Sequence, residues 1–201
     1  MARSREPLEL LAAELGGWAL VGDVSDARDL AAALSTLHQR AGREPDLVVA
    51  AAGLFHIAPI ETTDPAVFER NLDVNLKGSF LLLREVLPGM KARGEGIVIL
   101  VGSVAGRRAF PGNGAYSASK YGLRGLHEVL LEEVRGTGVR ATLLEPGATD
   151  TPLWDPLDPD ARPDLPSRAD MLRAEDVAAA VVFVATRPAT VQIPFLPLEH
   201  R

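Results

Sequence analysis

The sequence contains no cysteine. That excludes a disulfide framework and any thiolate-held zinc or iron–sulfur centre, and it suits a reducing cytoplasm. No run of about 18 apolar residues occurs, so no segment reads as a membrane span. The N-terminal arginines are not followed by an apolar h-region, so they do not read as a secretory signal. Positive charge is in the minority, with 21 Lys and Arg against 27 Asp and Glu, a net charge of -6 and a pI near 5.3. Without a basic stripe there is nothing to contact phosphates, which argues against a nucleic-acid partner. His38, His56, His127 and His200 are scattered without ligand spacing, and none reads as metal-binding. No internal repeat is present. What remains is an ordinary globular composition, 47% apolar over 201 residues, which suits one domain with a sizeable core spanning 1–201.

Periodicity and punctuation predict an alternating chain. Arg5 to Leu15 is rich in helix formers and stops at Gly16-Gly17. Trp18 to Val21 reads as a short strand ending at Gly22-Asp23. Ser25 is a candidate N-cap for a helix with Leu30, Leu34, Leu37 and Ala41 on one stripe, ended by Gly42. Asp46 to Gly53 is continuously apolar, as a strand covered on both faces would be. Asp64-Pro65 opens a long helix, with Phe68, Leu72, Leu82 and Val86 on its stripe and Asn75 and Ser79 among them. Pro88 is expected to kink or end it. A strand at 97–101 leads through a Gly/Pro loop into a helix from about 114 to 136, which buries Leu123, Leu126, Leu130 and Val134. Strand 139–144 ends at Glu145-Pro146-Gly147. The Pro- and Asp-rich segment 152–170 reads as an irregular loop or lid over a substrate. Helix 174–186 and a strand at 190–193 close the chain. Such alternation implies a doubly wound α/β domain with a parallel sheet and ligands at the carboxyl ends of its strands.

The chemistry concentrates between Val101 and Leu123. Ser103 stands at a strand end, and Tyr116 and Lys120 lie four residues apart on one helix face. A free Tyr, with a pKa of roughly 10, is a poor acid or base at neutral pH, and a nearby cation would lower that value. Ser103 could hydrogen-bond a substrate carbonyl or hydroxyl. Asn75, polar on a buried stripe, needs a partner, and a water linking it to Lys120 would serve.

These residues resemble the short-chain dehydrogenase/reductase family. Tyr116 and Lys120 match its Tyr-x-x-x-Lys signature within Tyr-Ser-Ala-Ser-Lys, and Ser103 precedes the Tyr by thirteen residues. Asn75-Leu-Lys-Gly78 matches the Asn-x-x-Gly string. The resemblance implies a Rossmann-type fold and catalytic roles for Tyr116, Lys120, Ser103 and Asn75. It implies adenine contact by Asp23-Val24, although Asp23 could also simply cap a helix. Close cofactor approach at Gly53 and nicotinamide contact by Pro146, Gly147 and Thr151 are implied too. Arg3, just after the family's second strand position, would face a 2′-phosphate, so NADP is favoured over NAD. Arg107-Arg108 lie in the loop near the site and could meet an anionic substrate, although such a pair more often stands in solvent. The substrate would be a small carbonyl or secondary alcohol, and the assembly a homodimer or homotetramer.

Two departures accompany the match. The family's Asn-Asn-Ala-Gly reads Ala50-Ala-Ala-Gly53. Its opening strand, Thr-Gly-x-x-x-Gly-x-Gly loop, helix and second strand have no counterpart among these residues, so an N-terminally incomplete sheet of order 3-2-1-4-5-6-7 is expected. A shortened chain unable to hold cofactor, or a catalytically silent binding or regulatory module, is the competing reading.

Overall fold

In the computed structural model, which describes residues 1–201, helix α1 (Arg5–Leu15) forms where the Leu, Glu and Ala run predicts it. It stops at Gly16, whose φ of 64° is left-handed and suits a residue without a Cβ. Helix α2 (Ala27–Ala41) is capped by Asp26, whose carboxylate accepts from the amides of Arg28 and Asp29. Ser25, expected to be the cap, instead donates its hydroxyl to Asp23. Either side chain could satisfy the free amides, and a carboxylate interacts better with the positive helix end.

The expected strand at 18–21 reduces to a single bridge between Ala2 and Val21. The main sheet is built from β1 (Leu47–Ala50), β2 (Gly96–Val101), β3 (Val139–Pro146) and β6 (Phe195–Leu198), all parallel and in the order β1-β2-β3-β6. Two short strands, β4 (Thr149–Asp150) and β5 (Leu172–Arg173), pair separately. The last main strand falls after the predicted 190–193. Those residues serve as an anchor instead, with the Thr142 hydroxyl donating to the Ile193 carbonyl at 2.6 Å. Pro197 is tolerated in β6 because an edge strand has one unpaired side.

The expected long helix is three segments: α3 (Pro65–Leu72), a π-helical turn (Asp73–Lys77) and α4 (Gly78–Arg93). Asp64 caps α3 and Pro65 is its first residue, as read from the sequence. Pro88 neither ends nor breaks α4. Pro88 and Arg84 are exposed, so the carbonyl that loses its partner faces water, while the fully buried Val86 and Met90 hold this stretch to the core. Helix α5 (Gly114–Glu133) and helix α6 (Ala174–Ala185) complete the layers.

Core packing divides by sheet face. Val48, Val98, Leu100, Ala141 and Leu143 pack with Leu83, Val86 and Met90 of α4 and Leu123 and Leu130 of α5. On the other face, Ile99 and Leu144 pack with Val184 of α6. Strand β2 is therefore covered on both faces, as its continuous apolar run implies. Strand β1 is not, contrary to expectation. Leu47 and Val49, in register with Ile97 and Ile99, are each 39% exposed, because α6 lies over β2 and β3 and α1 buries nothing. A cavity of about 620 Å³ runs along the free edge of β1, bounded opposite by Met1, Ala2, Leu20 and Leu30.

Segment 152–170 is more regular than predicted. It forms three short 3-10 turns, Pro152–Leu157, Pro159–Ala161 and Arg168–Asp170, returning the chain to β5. No helix is long and apolar enough to cross a membrane.

Candidate active site

Strand β2 delivers its last residue, Val101, to the carboxyl edge of the sheet, and Ser103 follows as the cap of a 3-10 turn, accepting from the Ala105 amide at 3.1 Å. That turn lies directly on α5. A Cβ on Gly106 would come within 2.8 Å of the Lys120 carbonyl, so the missing side chain is what permits the approach. Ser103, Tyr116 and Lys120 thereby converge. The Ser103 hydroxyl lies close enough to the Tyr116 phenol to favour its ionised form. Lys120 Nζ donates to the Val101 carbonyl at 2.9 Å and lies 5.6 Å from the centre of the Tyr116 ring.

Burial decides the electrostatics. It raises the Tyr116 pKa, and the Ser103 hydroxyl offsets this only in part. It also lowers Lys120 to about 8. The phenol pKa is thus raised by desolvation instead of depressed by the ammonium as expected, and Tyr116 is protonated at neutral pH. Lys120 has three N–H donors and a single protein acceptor. A buried amine with donors to spare fits a hydroxylated ligand group such as a ribose.

Asn75 sits in the π-helical turn, fully buried. Its Oδ1 accepts from the Leu54 amide at 2.7 Å, and its Nδ2 donates to the Leu54 carbonyl at 3.0 Å and to Ser119 Oγ at 2.9 Å. Ser119 in turn donates to the Tyr116 carbonyl at 2.6 Å. The expected polar partner of Asn75 is therefore the chain itself, on two sides. Gly53 adjoins both: a Cβ there would lie 3.5 Å from Asn75 Oδ1 and 4.0 Å from Lys120 Nζ.

The remaining predicted residues divide into two groups. Asp23, Val24 and Arg3 border the cavity beside β1, together with Gly53. Asp23 is not a helix cap. Its carboxylate accepts from Ser25 Oγ and from Arg70 at 2.6 Å each, contacts that hold its pKa well below the usual carboxylate range. Val24 packs on Gly78, where a Cβ would lie 3.0 Å from Val24 Cγ2. Pro146 and Gly147 end β3, at the same sheet edge as Ser103, with the Gly147 amide donating to the Leu198 carbonyl at 2.8 Å. Thr151 leads into the turn 152–157. Arg107 is not free in solvent: it pairs with Glu199 and lies 3.9 Å from Glu145.

Ser119, Arg70, Phe55 and Trp154 escaped the sequence reading. Ser119 had a signal, being three residues from Tyr116 and so on its helix face. The others had none, because they meet their partners only in three dimensions. The Phe55 ring stands edge-on to Tyr116 at 4.8 Å between centroids and to Trp154 at 4.9 Å.

Comparison with known proteins agrees with this geometry. The profile described as short chain dehydrogenase matches residues 1–162. Over 183 residues the chain is 35% identical to a glycine betaine reductase of Emericella nidulans, covering 89% of this chain but 14% of that protein. Over 190 residues it is 34% identical to a D-threitol dehydrogenase of Mycolicibacterium smegmatis, covering 90% of this chain and 73% of the relative. An alcohol dehydrogenase from the archaeon Thermococcus sibiricus, solved with 5-hydroxy-NADP, superposes with a TM-score of 0.85 at 29% identity, covering 99% of this chain and 83% of that one.

Proposed function

The chain belongs to the short-chain dehydrogenase family, and from that premise we propose that it is an NAD(P)-dependent oxidoreductase interconverting a carbonyl and a secondary alcohol. The observation that carries this reading is the convergence of Ser103, Tyr116 and Lys120 on one buried site. The nicotinamide cofactor supplies the hydride. For its part the chain orients the carbonyl with the Ser103 hydroxyl and donates the Tyr116 phenolic proton to the substrate oxygen. A phenol kept protonated by burial is an acid in the correct state for carbonyl reduction. Lys120 holds ribose hydroxyls with its unspent N–H groups, and Asn75 fixes the Leu54 backbone beside them.

Asp23 and Val24 would border the adenine, Arg3 would meet a 2′-phosphate, and Pro146, Gly147 and Thr151 would flank the nicotinamide. The side chains bordering the cavity suit an adenosine moiety at one end, which supports a nicotinamide dinucleotide, with NADP preferred on account of Arg3. Segment 152–170 would cover the substrate. Phe80, Tyr121 and Val129, exposed on α4 and α5, support a homodimer or homotetramer through that face.

A second reading, a silent binding or regulatory module, draws on the lack of a Gly-rich phosphate loop among these residues and on the free edge of β1. Calorimetric titration with NADPH and NADH discriminates the two. Binding followed by oxidation of NADPH with a carbonyl panel supports the enzyme, and Tyr116→Phe should then bind cofactor but lose turnover. Absence of nucleotide binding by folded protein would leave the second reading standing.

A further inference from the structure

We infer that Phe55 and Trp154 form an apolar aromatic wall over Tyr116, and that the substrate is a ketone or alcohol bearing a flat hydrophobic group, such as an aryl ketone, rather than a polyol. The inference rests on the oxidoreductase reading and names the substrate class of that same site.

Phe55 touches both partners: its ring meets Tyr116 and Trp154 edge-on, at interplanar angles of 70° and 61°. The three rings stand in series, with Phe55 against the phenol that would protonate the substrate and Trp154 behind Phe55. Edge-to-face geometry is the favoured aromatic arrangement, and Phe55 stays partly exposed where the chain leaves Leu54.

Both rings are held from behind. Leu54, immediately before Phe55, has its amide and its carbonyl paired with Asn75. Three residues further on, the Ala58 amide donates to the Gly112 carbonyl at 2.9 Å, tying this segment to the approach of α5. Trp154 is only 9% exposed although Leu153 and Asp155 beside it are open to solvent. The Arg168 guanidinium clamps its segment by pairing with Asp150 on one side and with Asp155 at 2.6 Å on the other. A wall pinned at both ends is part of the site's shape.

A polyol needs donors and acceptors for each hydroxyl, and a buried polar group left unpaired costs binding. Two arginines of this region are already committed, Arg168 to Asp150 and Asp155, and Arg107 to Glu199. The site therefore favours a carbonyl whose only polar demand is met by Ser103 and Tyr116.

Fluorescence of Trp154 tests this without requiring turnover. Trp18, 45% exposed and beneath Arg40, is the one other tryptophan, and Trp18→Phe leaves Trp154 as sole reporter in the full chain. Titration with 4-nitroacetophenone, corrected for absorption and repeated with NADP present, should give saturable quenching that threitol does not displace. Phe55→Ala should weaken that binding about tenfold. Phe55→Leu, which keeps the volume and removes the ring, should weaken it less and guards against a misfolded alanine variant. Linear quenching indifferent to Phe55, or displacement by threitol at comparable concentration, would overturn the inference. Saturable quenching with neither binding nor oxidation of NADPH and NADH would uphold the aromatic wall and reject the oxidoreductase reading.

Discussion

Asn75 Nδ2 donates to Ser119 Oγ at 2.9 Å, joining the π-helical turn to the helix that carries Tyr116 and Lys120 across 44 positions of sequence. The same amide pairs with both backbone groups of Leu54, so one buried side chain ties three segments.

Removing it should therefore cost more than one hydrogen bond. Asn75→Ala leaves the Leu54 amide and carbonyl and the Ser119 hydroxyl short of a partner, and is expected to lose about 3 kcal/mol. Ser119→Ala should lose about 1 kcal/mol. Urea unfolding of both variants and the double variant should show non-additivity of about 0.5 kcal/mol or more, and strict additivity would contradict the coupling.

Lys120 gives a dependence in the alkaline range. Burial lowers its pKa from 10.5 to about 8, so above that value the unfolded chain binds the proton that the folded protein has released. Stability should rise as pH increases from about 8 to 9.5, by roughly 2 kcal/mol, and this contribution is flat below 8. Lys120→Met should abolish the rise without loss of stability at pH 7. A Met variant with the wild-type slope would show that another group is responsible.

His127 sets the opposite limit. It is fully buried on α5, with Nε2 2.8 Å from the Pro194 carbonyl, Nδ1 without a partner, and its pKa lowered chiefly by desolvation. Its stabilising contribution is complete above the unfolded value of about 6.5 and is lost as pH falls through the lower folded value. The thermal unfolding midpoint should fall as pH drops below about 6.5, and the fall should be shallower in His127→Gln.

Glu145, 2% exposed at the end of β3, depends on Arg124, whose Nη1 donates to it at 2.7 Å. Arg124→Ala strands a buried carboxylate with only Arg107 at 3.9 Å and should cost about 3–5 kcal/mol. Some of that loss comes from the guanidinium stacked 4.4 Å over Phe195. Glu145→Leu introduced beside Arg124→Met should recover most of it, because neither charge is then left unpaired. Denaturant midpoints for the single and double variants measure this.

Much of the layout was legible because it is local. The apolar run of β2, the Asp64-Pro65 start of α3 and the Gly16 stop of α1 each depend on a few adjacent residues. Where the reading missed, a distant element decided. The run 46–53 looked covered on both faces, yet α6 lies over β2 and β3 and leaves Leu47 and Val49 open. Pro88 looked like a breaker, yet its exposed face lets water take the freed carbonyl. Pro-rich 152–170 looked irregular, yet one guanidinium, Arg168, gathers two carboxylates and orders the turn that carries Trp154.

The candidate site divides the same way. Sequence by itself determined that Tyr116 and Lys120 share a helix face and that Ser103 follows the end of a strand, since helical period and strand length are properties of neighbouring residues. Tertiary structure alone decided the protonation of that site, because burial is a property of the whole fold: it raises the phenol, which spacing suggested would be lowered, and lowers the amine to about 8. It also decided which side chains surround the phenol. Phe55 and Trp154 are far from Tyr116 in sequence, and packing of loop, helix and turn at one sheet edge is what brings the three rings together.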